Sequence, residues 1–465
     1  MRLIGTLSPI SSAVLAICLL QGCASYQAKP LAPSESAAAI SARSLDVAGL
    51  RDFIARHPPE RKARSGGWGL GELTLAALYF HPDLATARAE SKLALAGEKE
   101  AGELPNPVAN LGLGYNATSM GISPWILTTA LDIPVELAGK RSLRRKEAGH
   151  RSEASRWRLA ATGWAARSRV RESMLSLYSA QRTKAVLEQQ EKLNAEVASL
   201  VEEKRKAGEA SAFEASQARL GLSQTRLALH QAERLAEVAR VQLAAAVGIS
   251  AAAMESIPLD FAAFQKQGTG LSQGESRRWA VTNRADILAA LEDYDAAQSA
   301  LHLEIANQYP DLNLGPGYEL DQTDNKWNIG VSMELPVMNQ HQGKIAKANA
   351  ERELAAAKFL QVQAAALAEI DKAEIDLKGA RETAKAASGI LDEVMKAEAT
   401  TRKMKDAGAI EKHELLQRKL EVSSSELALI DAETSQQQAV GVLEDALQLP
   451  STLKTEIIFQ PAHQP

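Results

Sequence analysis

The chain has 465 residues, a formal net charge of −4 and an aromatic content of only 4%. A charge so near balance implies no nucleic-acid surface. The scarcity of aromatics, with long Pro-free and Gly-poor stretches of Ala, Leu, Glu, Lys, Arg and Gln, argues against ordinary compact globules and for long helices packed side by side.

The N-terminus reads as an export signal. Arg2 precedes an apolar run from Ala13 to Leu20, too short to span a bilayer, which ends in Leu20-Gln21-Gly22-Cys23. The pattern Leu-x-Gly-Cys resembles a bacterial lipobox, which implies a lipoprotein signal peptide over 1–22 and a lipid (palmitate) anchor on Cys23. A plain secretory signal that happens to contain Cys is the alternative. Cys18 would leave with the signal, and the one remaining Cys cannot form an internal disulfide. Ala24 follows where an inner-membrane retention signal would place Asp, so known sorting rules favour the outer membrane. Residues 23–68, with Pro, Ser and Ala and little periodicity, are expected to form an extended tether.

A helix of about 33 residues is expected over Leu70–Gly102, stopped by Pro105-Asn106-Pro107. Leu111, Leu113 and Tyr115 then alternate with Asn110, Gly112 and Gly114. Beyond a loop at Thr118–Pro124, Trp125, Leu127, Thr129, Leu131 and Ile133 alternate with Thr128, Ala130 and Asp132. Period two marks strands with one apolar and one polar face, each of about ten residues, the length of a tilted transmembrane strand. Pro134 is expected to end the second strand. From Ser142 to Lys206 about 65 residues pass without Pro, about 100 Å of helix. A turn at Ala207-Gly208 leads into a returning helix, Ala212–Val247.

The order then repeats. Asn110-Leu111-Gly112-Leu113-Gly114-Tyr115 recurs as Asn313-Leu314-Gly315-Pro316-Gly317-Tyr318, and His81-Pro82-Asp83-Leu84 is echoed by Arg284-Ala285-Asp286-Ile287. Ala207-Gly208, Glu214, Gln217 and Leu220 recur as Ala407-Gly408, Glu414, Gln417 and Leu420. A unit of about 200 residues is too long for a solenoid and marks a duplicated half-protein. The second half has a lead-in helix (Glu275–Gln308), strands at Leu312–Leu320 and Trp327–Leu335, Pro336 as a strand end, a long helix (Lys344–Lys405) and a returning helix (Glu411–Gln448). The expected division is therefore 69–257 and 275–450 for the two repeats, a linker at 258–274 and a tail at 451–465.

The expected fold class is an α+β membrane protein: a duplicated half-repeat giving four transmembrane β-strands plus long coiled-coil-like helices. The polar strand faces, built of Gly, Asn, Ser and acidic residues, suit a water-filled lumen, and Tyr115, Trp125, Tyr318 and Trp327 flank the two loops as an aromatic girdle would. Four strands cannot close a barrel, and an open edge in lipid leaves backbone groups unsatisfied. Two copies would give an eight-stranded, filled barrel and three copies a twelve-stranded one with room for a channel. The Gly-rich inner faces and the helix lengths favour three.

In this order of elements the whole mature chain resembles the TolC-like outer-membrane efflux proteins. Pro105-Asn106-Pro107, Val135-Glu136-Leu137-Ala138-Gly139-Lys140-Arg141 and Pro336-Val337-Met338-Asn339-Gln340 look like the heavy-metal (cobalt–zinc–cadmium) branch of that family. The resemblance implies a homotrimer with a twelve-stranded β-barrel in outer-membrane lipid, continued by a periplasmic α-helical barrel. It further implies a passive exit duct for metal cations or small toxic compounds, delivered by an inner-membrane RND-type pump through a periplasmic adaptor. The tip turns at Gly208 and Gly408 would meet the adaptor, and Glu214 and Glu414 would line the periplasmic aperture and favour cations. Read alone, each Glu is equally a solvated surface charge. The family's second-half basic residue at the aperture falls at Ile410, so Lys405 and Lys206 are the candidates for an ionic lock.

No catalytic residue, metal site or cofactor is expected. His413-Glu414-Leu415-Leu416-Gln417 begins like a zinc-protease helix but carries Gln417 where the second His is required, and Gly112-Leu113-Gly114 lacks the third Gly of a dinucleotide loop. A type I protein-secretion duct would use the same fold, and a non-conducting structural envelope lipoprotein is the alternative of a different class.

Overall fold

The computed structural model describes residues 25–58, 67–118, 123–265, 273–321, 323–449 and Ile458. The expected signal peptide with Cys23, part of the first strand loop, the middle of the expected 258–274 linker and the 451–465 tail apart from Ile458 lie outside the described residues. The chain divides into two compact units after Arg43. Helix α1 (Pro33–Ser41) belongs to the first and buries no residue.

The segment expected as an extended tether also carries α2 (Ala48–Arg56), whose Leu50 and Phe53 are fully buried beside Leu45 in the main core. Their i, i+3 spacing aligns them on one helical face. The linker is likewise tied down. Trp68 N–H donates to the Pro258 carbonyl at 2.8 Å, and Phe264 packs beneath Tyr178 with ring centroids 6.0 Å apart.

Each expected lead-in helix proves to be two. In the first repeat α3 (Leu70–Phe80) is followed by α4 (Pro82–Ala101), with His81 extended at φ −65°, ψ 129°. Pro82 accounts for this, because proline disfavours helical backbone in the residue before it. In the second repeat α8 (Gln273–Asn283) and α9 (Ala285–Ala306) flank Arg284 in the same conformation, although no proline is present. There the break is held by side chains: the buried Arg284 guanidinium donates to the Ala446 carbonyl and to Glu369, both at 2.9 Å, and Ala285 N–H donates to Gln448 Oε1 at 2.8 Å.

The helices α5 (Lys140–Lys206, 67 residues) and α10 (Gln342–Asp406, 65 residues) are the longest elements, and α6 (Ala212–Val247) and α11 (Lys412–Leu447) return along them. A short α7 (Ala251–Glu255) follows α6. Both returning helices end in left-handed residues, Gly248 (φ 88°) and Gln448 (φ 48°), set against the break of their own repeat's lead-in helix. The main core lies where α3, α5, α6 and α7 meet, around Leu73, Leu78, Met174, Leu177, Leu243 and Met254. The repeats are joined by a buried ionic cluster. Arg171 of α5 donates to the Gln437 carbonyl of α11 at 2.7 Å and Arg167 pairs with Glu444 at 2.7 Å. Gly441 leaves space for this, since a Cβ there would stand 2.3 Å from Arg171 Nη1. On α6, Phe213, Leu220, Leu227 and Val241 recur at multiples of seven and are exposed in the single chain.

The four strands β1 (Val108–Tyr115), β2 (Trp125–Val135), β3 (Leu312–Asp321) and β4 (Asp324–Met333) form one antiparallel sheet in that order. Pro134 does not end β2 but lies within it, opposite Asn313. Its pairing with β1 stops at Asp132, and proline is tolerated where one side of a strand is open. Pro316, in the middle of β3, interrupts the ladder to β2 between Ala130↔Gly317 and Ile133↔Leu314, because it has no N–H to donate.

Candidate functional site

The sheet register fixes which residues share a face. Leu111↔Thr129, Leu113↔Leu127, Tyr115↔Trp125, Leu127↔Leu320, Thr129↔Tyr318 and Tyr318↔Trp327 are cross-strand partners, so the alternating apolar sets of all four strands fall on one side. That side is open: Leu111 is 80% exposed and Ile329 82%. Tyr115 stands against Trp125 at a ring separation of 5.1 Å and Tyr318 against Trp327 at 4.8 Å, at the loop end of each hairpin. The opposite face carries Asn110, Thr128, Asn328, Ser332, Glu319 and Lys326. Glycine there makes room for polar neighbours. A Cβ on Gly112 would lie 2.4 Å from Thr128 Oγ1, and one on Gly317 would lie 2.3 Å from Asn328 Oδ1. Among the described residues no helix is long and apolar enough to cross a membrane.

The motif Val135–Arg141 is the junction between sheet and helix. Ala138 and Gly139 are both left-handed, at φ 54° and φ 70°. Glu136 accepts two bonds from Arg144, at 2.5 and 3.0 Å, and this pairing raises the Arg144 pKa. Lys140, nearly buried, pairs with Asp311 at 2.9 Å, and Asp311 also accepts from Leu137 N–H at 2.9 Å. Arg141 donates to the Gly102 carbonyl at 2.7 Å. The motif thus ties the start of α5 both to the end of α4 and to the residue preceding β3.

At the far end of the long helices both tip glycines are left-handed, Gly208 at φ 82° and Gly408 at φ 74°. The chain turns tightly there, with Glu209 N–H returning to the Lys204 carbonyl (2.8 Å) and Ala409 N–H to the Met404 carbonyl (2.9 Å). Beneath the tips an apolar cluster of Val197, Val201, Ala215 and Leu416 joins the two repeats.

The two expected aperture acids are not equivalent. Glu214 closes a capping box: its Oε2 accepts from Ser211 N–H at 2.6 Å while Ser211 Oγ accepts from Glu214 N–H at 3.1 Å. Hydrogen bonds from Ser211 backbone and hydroxyl hold the Glu214 pKa below the usual range, so it stays ionised. Glu414 is exposed, and its N-cap position holds Glu411, which caps nothing by its side chain. Glu411 instead reaches across to Lys204; the pairing raises the Lys204 pKa and lowers that of Glu411. A second cross-repeat pair joins Lys412 to Glu196 at 3.3 Å. Among the described residues, therefore, the ionic link between tips is made by Lys204 and Lys412. Lys405 pairs with its neighbour Asp406 at 3.4 Å, and Ile410 is half-buried. The capping role of Glu214 was missed in the sequence, although Ser211-x-x-Glu214 carries its signature.

The chain is thus a duplicated hairpin-and-helix unit whose sheet exposes one apolar face. Residues 75–249 and 278–447 match the family "Outer membrane efflux protein", and the chain belongs to that family. It is a TolC-like outer-membrane efflux protein. Over 281 residues, 60% of this chain, it is 26% identical to the cobalt-zinc-cadmium resistance protein CzcC of Cupriavidus metallidurans, of whose length the match spans 65%. The fold is similar to that of the outer membrane protein VceC of Vibrio cholerae (TM-score 0.67, 19% identity, 81% of this chain and 95% of that one). It is similar also to CusC (TM-score 0.65, 17% identity, 91% and 98%).

Proposed function

We propose that three copies of the chain close a twelve-stranded barrel in the outer membrane and pool their helices into a periplasmic α-helical barrel. This homotrimer would be the passive exit duct of a tripartite efflux system. An inner-membrane RND-type pump would deliver metal cations or small toxic compounds through a periplasmic adaptor that packs on the tips around Gly208 and Gly408. The observation that carries the reading is the sheet: four strands with one exposed apolar face and, among the described residues, no strand partner on the outer edges of β1 and β4. In lipid such edges must find partners, and identical chains supply them. The similarity to CzcC favours metal cations as the solute.

In this reading Glu214 and Glu414 ring the periplasmic constriction, where carboxylates favour cations. Purified protein in planar bilayers is expected to conduct with cation preference, and Glu414→Gln to move the reversal potential toward that of an unselective pore. An unchanged reversal potential would remove Glu414 from the aperture, and absence of conductance would remove the duct. Anchoring at Cys23 belongs to the same reading; the mass of the mature N-terminal peptide should carry acyl chains, and should lose them in Cys23→Ser.

A further inference from the structure

We propose a divalent-metal site near the sheet end of the long helix α5, formed within one chain by His150 of α5 and Glu292 and Asp295 of α9. One donor atom from each of these side chains lies within 4.8 Å of the other two. His150 Nδ1 and Glu292 Oε2 are already 2.7 Å apart. Glu292 and Asp295 are spaced i, i+3, which places both on the face of α9 that meets α5.

The electrostatics set this cluster apart from its surroundings. Neighbouring acids on these helices have basic partners: Glu147 pairs with Arg151, Glu153 with Arg156 and Asp293 with Arg158. Among the described residues, neither Glu292 nor Asp295 has a Lys or Arg nitrogen within 4.0 Å, and the imidazole is the one ion-pair partner, of Glu292. Two carboxylates held together without a cation leave local negative charge for a bound ion to offset.

The backbone is fixed there by small buried residues, Ser152 and Ala154 on α5 and Ala289, Ala296 and Ser299 on α9. The side chains are not fixed as firmly, since those of His150 and Glu292 are each 25% exposed. That freedom is needed, because tetrahedral bonds of about 2.0–2.2 Å place donor atoms about 3.4 Å apart and the ligands must draw inward on binding. One imidazole nitrogen and two carboxylate oxygens suit Zn²⁺ or Co²⁺ over Ca²⁺ or Mg²⁺, and three protein ligands leave a position for water. Separated by about 140 residues in the chain, the ligands share no sequence motif, which is why no metal site was expected.

The full-length protein, purified in detergent and stripped of metal, should be titrated with Co²⁺ by visible absorption and with Zn²⁺ by calorimetry. His150→Gln is expected to lose the Co²⁺ ligand-field bands and about one Zn²⁺ equivalent per chain. Glu292→Gln, which guards against misfolding of the first variant, should weaken binding at least about tenfold. His230→Gln provides the control, as His230 and Glu233 form an exposed pair 3.3 Å apart that, among the described residues, has no third ligand. Unchanged bands and stoichiometry in folded His150→Gln, or an equal loss in His230→Gln, would overturn the assignment. The conductance experiment above neither supports nor removes it.

Discussion

Ser211 and Glu214 hold one another so that a charge proposed for the aperture is also a helix cap. The consequence is a pH dependence with a definite sign. The Glu214 pKa is depressed in the folded chain, so its contribution is fully present above the ordinary glutamate value and is lost as pH falls through the lowered one. Glu214→Gln should therefore melt below the unsubstituted protein at neutral pH, and the difference should vanish in acid. A constant difference across the titration would show that the carboxylate's charge contributes nothing to the cap. At this scale the sequence was half legible. Gly208 and Gly408 were readable as turns because only a left-handed residue reverses the chain so tightly. The identity of the ionic link was not, because Lys204 meets Glu411 only once both hairpins have packed.

Among the elements, the period-two strands were the most legible, since the alternating apolar residues of neighbouring strands face one another, as Leu113, Leu127 and Leu320 do. Pro134 was misjudged because tolerance of a missing donor depends on where the neighbouring strand begins, which lies outside local sequence. The lead-in helices show the same divide. Pro82 announced a break that was still read through, whereas Arg284 breaks its helix by reaching Ala446 and Glu369, distant in the chain. The end of α6 supports the first break directly. A Cβ on Gly248 would lie 3.0 Å from the Phe80 carbonyl group, and its φ of 88° suits glycine. Gly248→Ala should cost about 1–2 kcal/mol from the backbone alone, read as a lower melting temperature of the purified protein. An unaltered melt would mean that the turn relaxes freely.

For the whole molecule, duplication was legible from the recurrence of short motifs, whereas the proposed number of chains rests on surfaces that a single chain leaves uncovered. The α6 stripe of Phe213, Leu220, Leu227 and Val241 is one of these. If it packs between protomers, Leu220→Glu combined with Leu227→Glu should shift the light-scattering mass in detergent from three chains toward one. A trimer unchanged by both substitutions would place the subunit contact elsewhere. Pro316 bears on the shape such an assembly can take. The two hairpins are stitched together by fewer backbone bonds than join the strands within the second of them, and the missing stitches lie midway along the seam. A sheet that must curl round a pore bends most readily where its lacing is sparse, so the curvature should gather at this seam, once in every protomer, giving the mouth rounded corners rather than an even circle.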